Sequence, residues 1–162
     1  MSLLAFCHWL SQTSFSTSLR EDPYDYPVLL IIHVLSIAFF GGMVAMGNLR
    51  VLGLAMRETP VSQVIEQFRP WKWVAFGSLA ITGTVLTISD PLEYYDNIAF
   101  WFSLVLLAGV ALNALIFRFG VYRTVAAWDE GPDIPSSAQY WAGISLFLWI
   151  FLVFVGRAIA FF

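Results

Sequence analysis

"PVLLIIHVLSIAFFGGMVAMG", residues 27–47, contains no Asp, Glu, Lys or Arg. About 20 residues of helix cross the hydrocarbon core of a bilayer, so a stretch of this length and character reads as a spanning helix. Three further segments have the same quality, at about 73–89, 99–117 and 140–161. All seven prolines (23, 27, 60, 70, 91, 132 and 135) fall outside these cores or at their first residue, where a missing backbone donor is harmless. The expected fold is all-α: an integral membrane four-helix up-and-down bundle, one domain over residues 1–162.

Composition points the same way. The chain is 59% hydrophobic and 12% charged, with a mean hydropathy of +0.76, whereas soluble domains carry roughly 25% charged residues. A net charge of -3 and a pI near 5.2 leave no basic footprint with which to offset phosphate charge, so nucleic acid is not expected as a partner. The lone cysteine, Cys7, excludes an internal disulfide and a cysteine-rich metal site.

The cations fix an expected orientation. Arg50, Arg57, Arg69 and Lys72 follow the first span and Arg118 and Arg123 follow the third, whereas "DPLEYYDN" at 90–97 has none. The positive-inside rule then places both termini outside, in the periplasm if the membrane is a bacterial inner membrane. Trp9, Tyr24, Tyr26, Tyr94, Tyr95 and Trp101 gather at the outer interface, and Trp71, Trp73, Tyr122, Trp128, Tyr140 and Trp141 at the inner one. The segment at about 3–19 is too short to span. It reads as a helix in the outer headgroup plane, with Leu3, Phe6 and Leu10 on one face. A short amphipathic helix is expected after Pro60, carrying Val61, Val64, Ile65 and Phe68 on one side.

Two polar residues lie at the same depth. His33 falls about 9 Å below the outer end of its helix, and Arg157 reaches that level from the opposite side after a rise of roughly 25 Å. Titratable groups at such depth usually face the interior and find partners. With His8 on the neighbouring interfacial segment, they define a candidate outer-leaflet site: His8, His33 and Arg157. Two imidazoles and a guanidinium suit a haem b, whose iron takes axial His and whose propionates favour Arg. Ser36 and Gly41, on the His33 face, are the small residues that would admit the macrocycle. The plainer alternative is a neutral His33 hydrogen-bonded in the bundle, with Arg157 reaching to the headgroups.

Ala38-xxx-Gly42, Gly41-xxx-Ala45 and Gly156-xxx-Ala160 are small-xxx-small pairs of the kind that let helix backbones approach. Asn48 and Asn113 are the amides near the inner half, and Asn113 is expected to bond between helices. No Walker loop, GxSxG, HExxH or Cys/His zinc spacing occurs in the sequence, and no paired membrane carboxylates mark a proton path.

"FCHWL" (6–10), "LRVLGLAMR" (49–57), "RPW" (69–71), "YYDN" (94–97), "NALIF" (113–117), "GVYRTVAAWD" (120–129) and "GR" (156–157) together resemble an uncharacterised family of small bacterial four-helix membrane proteins carrying a domain-of-unknown-function label. A looser likeness, in the His followed by a Gly pair on the first span, is to copper-resistance D-type and b-type cytochrome bundles. That likeness implies haem or copper, and leads one to expect His where this chain has Asp96 and Arg118. His8 and His33 therefore form the single pair available for bis-His ligation.

The expected function is that of a non-enzymatic accessory or scaffold protein, a subunit of a larger membrane complex or a homo-oligomer, its partners being lipid and other membrane subunits. The alternative is a haem-b electron carrier using His8 and His33.

Overall fold

The computed structural model describes residues 2–129 and 134–161, and among them the regular structure is entirely helical. Two short helices, α1 (Leu3–Ser11) and α2 (Ser14–Glu21), precede α3 (Asp25–Val51), α4 (Val61–Ser89), the six-residue α5 (Pro91–Asp96), α6 (Ile98–Phe119) and α7 (Ser136–Ala158). A 3-10 segment at Val121–Ala127 follows α6. Four of the helices, α3, α4, α6 and α7, are long and apolar enough to cross a membrane, as in a multi-pass membrane protein. The end that holds the N-terminus of α3 is called the upper end below, and the opposite end the lower.

Local chemistry explains the boundaries. The expected single segment at 3–19 is two helices because Thr13 interrupts it: its hydroxyl accepts from the Ser16 N–H and starts α2 afresh. Asp22 accepts from the backbone N–H groups of Tyr24 and Asp25, at 2.8 and 3.2 Å, and so caps α3. The segment after Pro60 does not form a separate helix. It is the first part of α4, which runs on through Pro70. Pro70 lacks the N–H that would bond Glu66 four residues earlier, and Glu66 is exposed, where its carbonyl can be solvated.

The cap of α4 comes from far along the chain. Pro60 at the N-cap offers no side-chain acceptor. The Asp129 carboxylate takes its place, accepting from the Ser62 N–H at 2.7 Å and from the Ser62 hydroxyl at 2.5 Å. A negative group there also complements the positive end of the helix dipole. Around this clasp lies the lower-end core: Val51, Val61, Trp128, Ala138 and Ala142 are buried together, and Arg50, also buried, donates from Nε to the Thr59 carbonyl at 2.6 Å.

Packing sets the long helices in the order α4, α3, α7, α6. Extensive contacts join α3 to α4 and α7 to α6, and α3 meets α7 between them. An up-and-down bundle would also place α4 and α6 side by side. Among the described residues α4 and α6 share no extensive contact; α5, which connects them at the upper end, packs on α1. The polar amides tie the central helices. Asn48 donates to the Ser145 hydroxyl at 2.9 Å, joining α3 to α7, and Asn113 donates to the Trp141 carbonyl at 3.4 Å, joining α6 to α7. At the upper end Asn97 both caps α6 through Phe100 and donates to the Ile159 carbonyl at 2.8 Å.

Gly41 of α3 lies directly against the Trp149 indole of α7. A β-carbon on Gly41 would overlap the buried Trp149 indole, whereas one on Gly42 would meet nothing within 4 Å. Gly41→Ala is expected to lower unfolding stability by about 1–3 kcal/mol, the usual cost of overpacking. Gly42→Ala should stay within about 0.5 kcal/mol of the parent, as surface changes do. Thermal melts of both variants in one detergent check this, and equal melting temperatures would contradict the contact.

Candidate functional site

The upper half of the α3–α4 contact carries a column of polar side chains. His33 Nδ1 lies 2.7 Å from the Thr82 hydroxyl, and one turn lower the Ser36 and Ser78 hydroxyls are 2.7 Å apart. The pairs 33/82 and 36/78 define an antiparallel register. Continued two turns upward, it brings Tyr26 opposite Ser89, and these two residues line a common cavity.

The neighbouring hydrogen bonds assign a His33 tautomer. Thr82 Oγ1 donates to the Ser78 carbonyl at 2.7 Å, so its one hydrogen is committed and it accepts from His33. The Nδ1 atom of His33 therefore carries the proton, and in the neutral ring Nε2 keeps a free lone pair. Gly83 makes room for the ring: a β-carbon there would come to 3.2 Å from Cε1.

The cleft above this column is open to the surface, has a volume of about 410 Å³ and is lined by Arg20, Tyr26, Pro27, Ser89, Asp90, Glu93 and Tyr94, of which Arg20, Tyr26, Pro27 and Glu93 are exposed. Four elements build it: α2 brings Arg20, the first turn of α3 brings Tyr26 and Pro27, α4 ends at Ser89, and α5 brings Glu93 and Tyr94. Ser89 is buried, and its carbonyl accepts from the equally buried Ser16 hydroxyl at 3.2 Å, which docks α2 against α4. Asp90 starts α5 by accepting from the Glu93 N–H. Burial above all, with Tyr26, Glu93 and Asp90 nearby, pushes the Tyr94 phenol above its ordinary range, so it remains a neutral hydrogen-bond donor.

The three residues singled out from the sequence occupy different surroundings. His33 is half-buried between α3 and α4, whereas His8 is exposed on α1, which packs against α5, α2 and α4. Arg157 is exposed near the end of α7, and its guanidinium lies 4.7 Å from the centre of the Phe161 ring. Among the described residues no hydrogen bond or ion pair links these three. Nor, among the described residues, does an ion pair join Arg157 to Asp90 or Glu93; the ion pairs that form are those of Glu66 with Arg69 and Arg118, at the lower end. The small residues expected to admit a macrocycle are otherwise engaged, Ser36 with Ser78 and Gly41 with Trp149.

Thr82, Ser78, Arg20 and Tyr26 belong to this region without having been singled out. Their signal in the sequence is spacing: His33 and Ser36 on one span, Ser78 and Thr82 on the next, each pair about one helical turn apart and so on one face. The pairing between helices has no such signal.

Thr82→Val keeps the shape of the side chain and removes the acceptor of the His33 N–H. A loss of about 1 kcal/mol in unfolding stability is expected, with Thr82→Ser close to the parent. Equal stability of the Val and Ser variants would show that the bond contributes nothing.

The model of a family of unknown function (DUF6644) matches residues 27–162. The match begins at Pro27, so α1, α2 and the first two residues of α3 lie before it. No curated protein and no solved structure matches the chain.

Proposed function

The chain belongs to DUF6644, a family of unknown function, and on that premise we propose that it is a non-enzymatic accessory or scaffold protein of a bacterial inner membrane, assembling with other membrane subunits or with itself. The carrying observation is an uncovered small-residue face on the central helix α3. Ile31, Leu35, Ala38 and Gly42 follow one another at helical spacing and all are exposed. The Gly42 position has open space where a side chain would stand. Of the small-residue pairs on α3, the one containing Gly41 is used within the chain, against Trp149, and the one made by Ala38 and Gly42 is left facing outward.

Such a face permits close approach of a second helix, where dispersion and weak Cα–H contacts accumulate in the absence of a hydrophobic driving force. The distribution of cations supports the membrane placement. Arg50, Arg57, Arg69, Lys72, Arg118 and Arg123 cluster toward the lower end, which the positive-inside rule assigns to the cytoplasm, leaving the N-terminus and C-terminus in the periplasm.

Crosslinking in cells followed by native gels in mild detergent tests the reading. The parent should migrate with a stoichiometric partner or as an oligomer. Ala38→Leu combined with Gly42→Leu should abolish that species while the melting temperature of the isolated chain is retained. A parent protein that runs alone as a monomer in several mild detergents, without a crosslinked partner, would sink the proposal.

A second reading rests on the His33 tautomer. A neutral imidazole with Nδ1–H held by a neighbour and Nε2 free is the form in which His ligates metals, so haem b on His33 and His8, with Arg157 toward a propionate, is the alternative. Absorption spectra of purified protein, oxidised and then reduced, decide it. Soret and α bands lost in His33→Ala are the expected result, and a colourless preparation from iron-replete cells rules it out.

A further inference from the structure

The upper cavity is a second site, distinct in residues from the His8, His33 and Arg157 set. Its lining combines one guanidinium (Arg20), two carboxylates (Asp90 and Glu93), and two phenols (Tyr26 and Tyr94). Within the described residues Arg20 makes no ion pair with either carboxylate, although all three border the same 410 Å³ space. Charges of both signs that share a cavity and do not close on each other suit an occupant that itself carries both signs. The volume lies in the range of small-molecule pockets, about 300–1,000 Å³.

Position narrows the occupant. Pro27 and Ser89 lie near the upper ends of two helices able to span a bilayer, and Tyr26 and Tyr94 are of the residue type enriched at the level of headgroups. We infer that this cavity binds an ethanolamine-phosphate group, its primary ammonium donating to Asp90 and Glu93 and its phosphate held by Arg20. Asp90 spends one oxygen on the Glu93 N–H and keeps the other for an ammonium. A guanidinium fork matches a phosphate. The carboxylates set the selectivity. A trimethylammonium cannot donate hydrogen bonds to them, and an anionic glycerol headgroup offers them no cation.

The same group occurs on a phospholipid and as a free solute, and the test separates the two. The protein is placed in nanodiscs of mixed phosphatidylethanolamine, phosphatidylcholine and phosphatidylglycerol, and the lipids it retains are read by native mass spectrometry. Retention of the ethanolamine lipid should exceed that of the other two by about tenfold or more, since a charge-assisted hydrogen bond contributes about 1.5–3 kcal/mol. Asp90→Asn with Glu93→Gln should remove the preference, and Arg20→Gln should weaken retention of all three lipids alike. Glu93→Gln alone changes one exposed side chain and keeps the test open if the double variant does not fold. Soluble phosphoethanolamine, titrated calorimetrically into protein in phosphatidylcholine nanodiscs, then identifies the source. Binding lost in Glu93→Gln means that the headgroup suffices, and silence beside selective lipid retention means that the lipid is the ligand. Equal retention of the three lipids, a preference for either of the others, or a preference untouched in Glu93→Gln overturns the inference.

Discussion

Inside hydrocarbon a hydroxyl, amide or imidazole has no water to turn to, and leaving one unpaired costs several kcal/mol. The central helix α3 carries three such groups, His33, Ser36 and Asn48. Each finds a partner within the chain: Thr82 and Ser78 on α4, and Ser145 on α7. These pairs tie α3 to α4 and to α7. Gly41 against Trp149, and Phe40 against both Phe76 and Trp149, pack the same helices together.

The two ends are closed by different means. At the lower end one carboxylate, Asp129, substitutes for a cap that Pro60 cannot provide, and the segment that carries it brings Trp128 onto Val51 and Val61. At the upper end Asn97 locks α6 to the end of α7, while α1 and α2 lie over α5 and α4. The lower end is consequently packed apolar core around a hydrogen-bonded clasp. The upper end retains a polar cleft above the column that runs down to His33.

Much of this was legible in the sequence. The four spans follow from uninterrupted apolar length, and the amide Asn113 was recognisable as an interhelical donor because hydrocarbon leaves it few alternatives. Other features were not legible, for identifiable reasons. Pro70 reads as a break, yet α4 passes through it where the freed carbonyl is exposed. Thr13 is an ordinary residue until its hydroxyl is seen to cap α2. The α4 cap comes from a residue 67 positions later, a relation that no local pattern carries. The level match of His33 with Arg157 is a statement about depth alone. Which side of a helix faces which neighbour depends on the packing order α4, α3, α7, α6, and that order turns His33 toward Thr82.

The central claim is that order, with α3 and α4 locked in the register of Ser36 opposite Ser78. It is tested most directly by replacing both serines with cysteine in a Cys7→Ser background and oxidising the protein in its membrane. The account predicts an intramolecular crosslink, seen as a reductant-sensitive shift in mobility, and no crosslink when Ser36→Cys is combined with Ile81→Cys, a position on the exposed face of α4. Failure of the first pair to join, or equal crosslinking of both pairs, would contradict it.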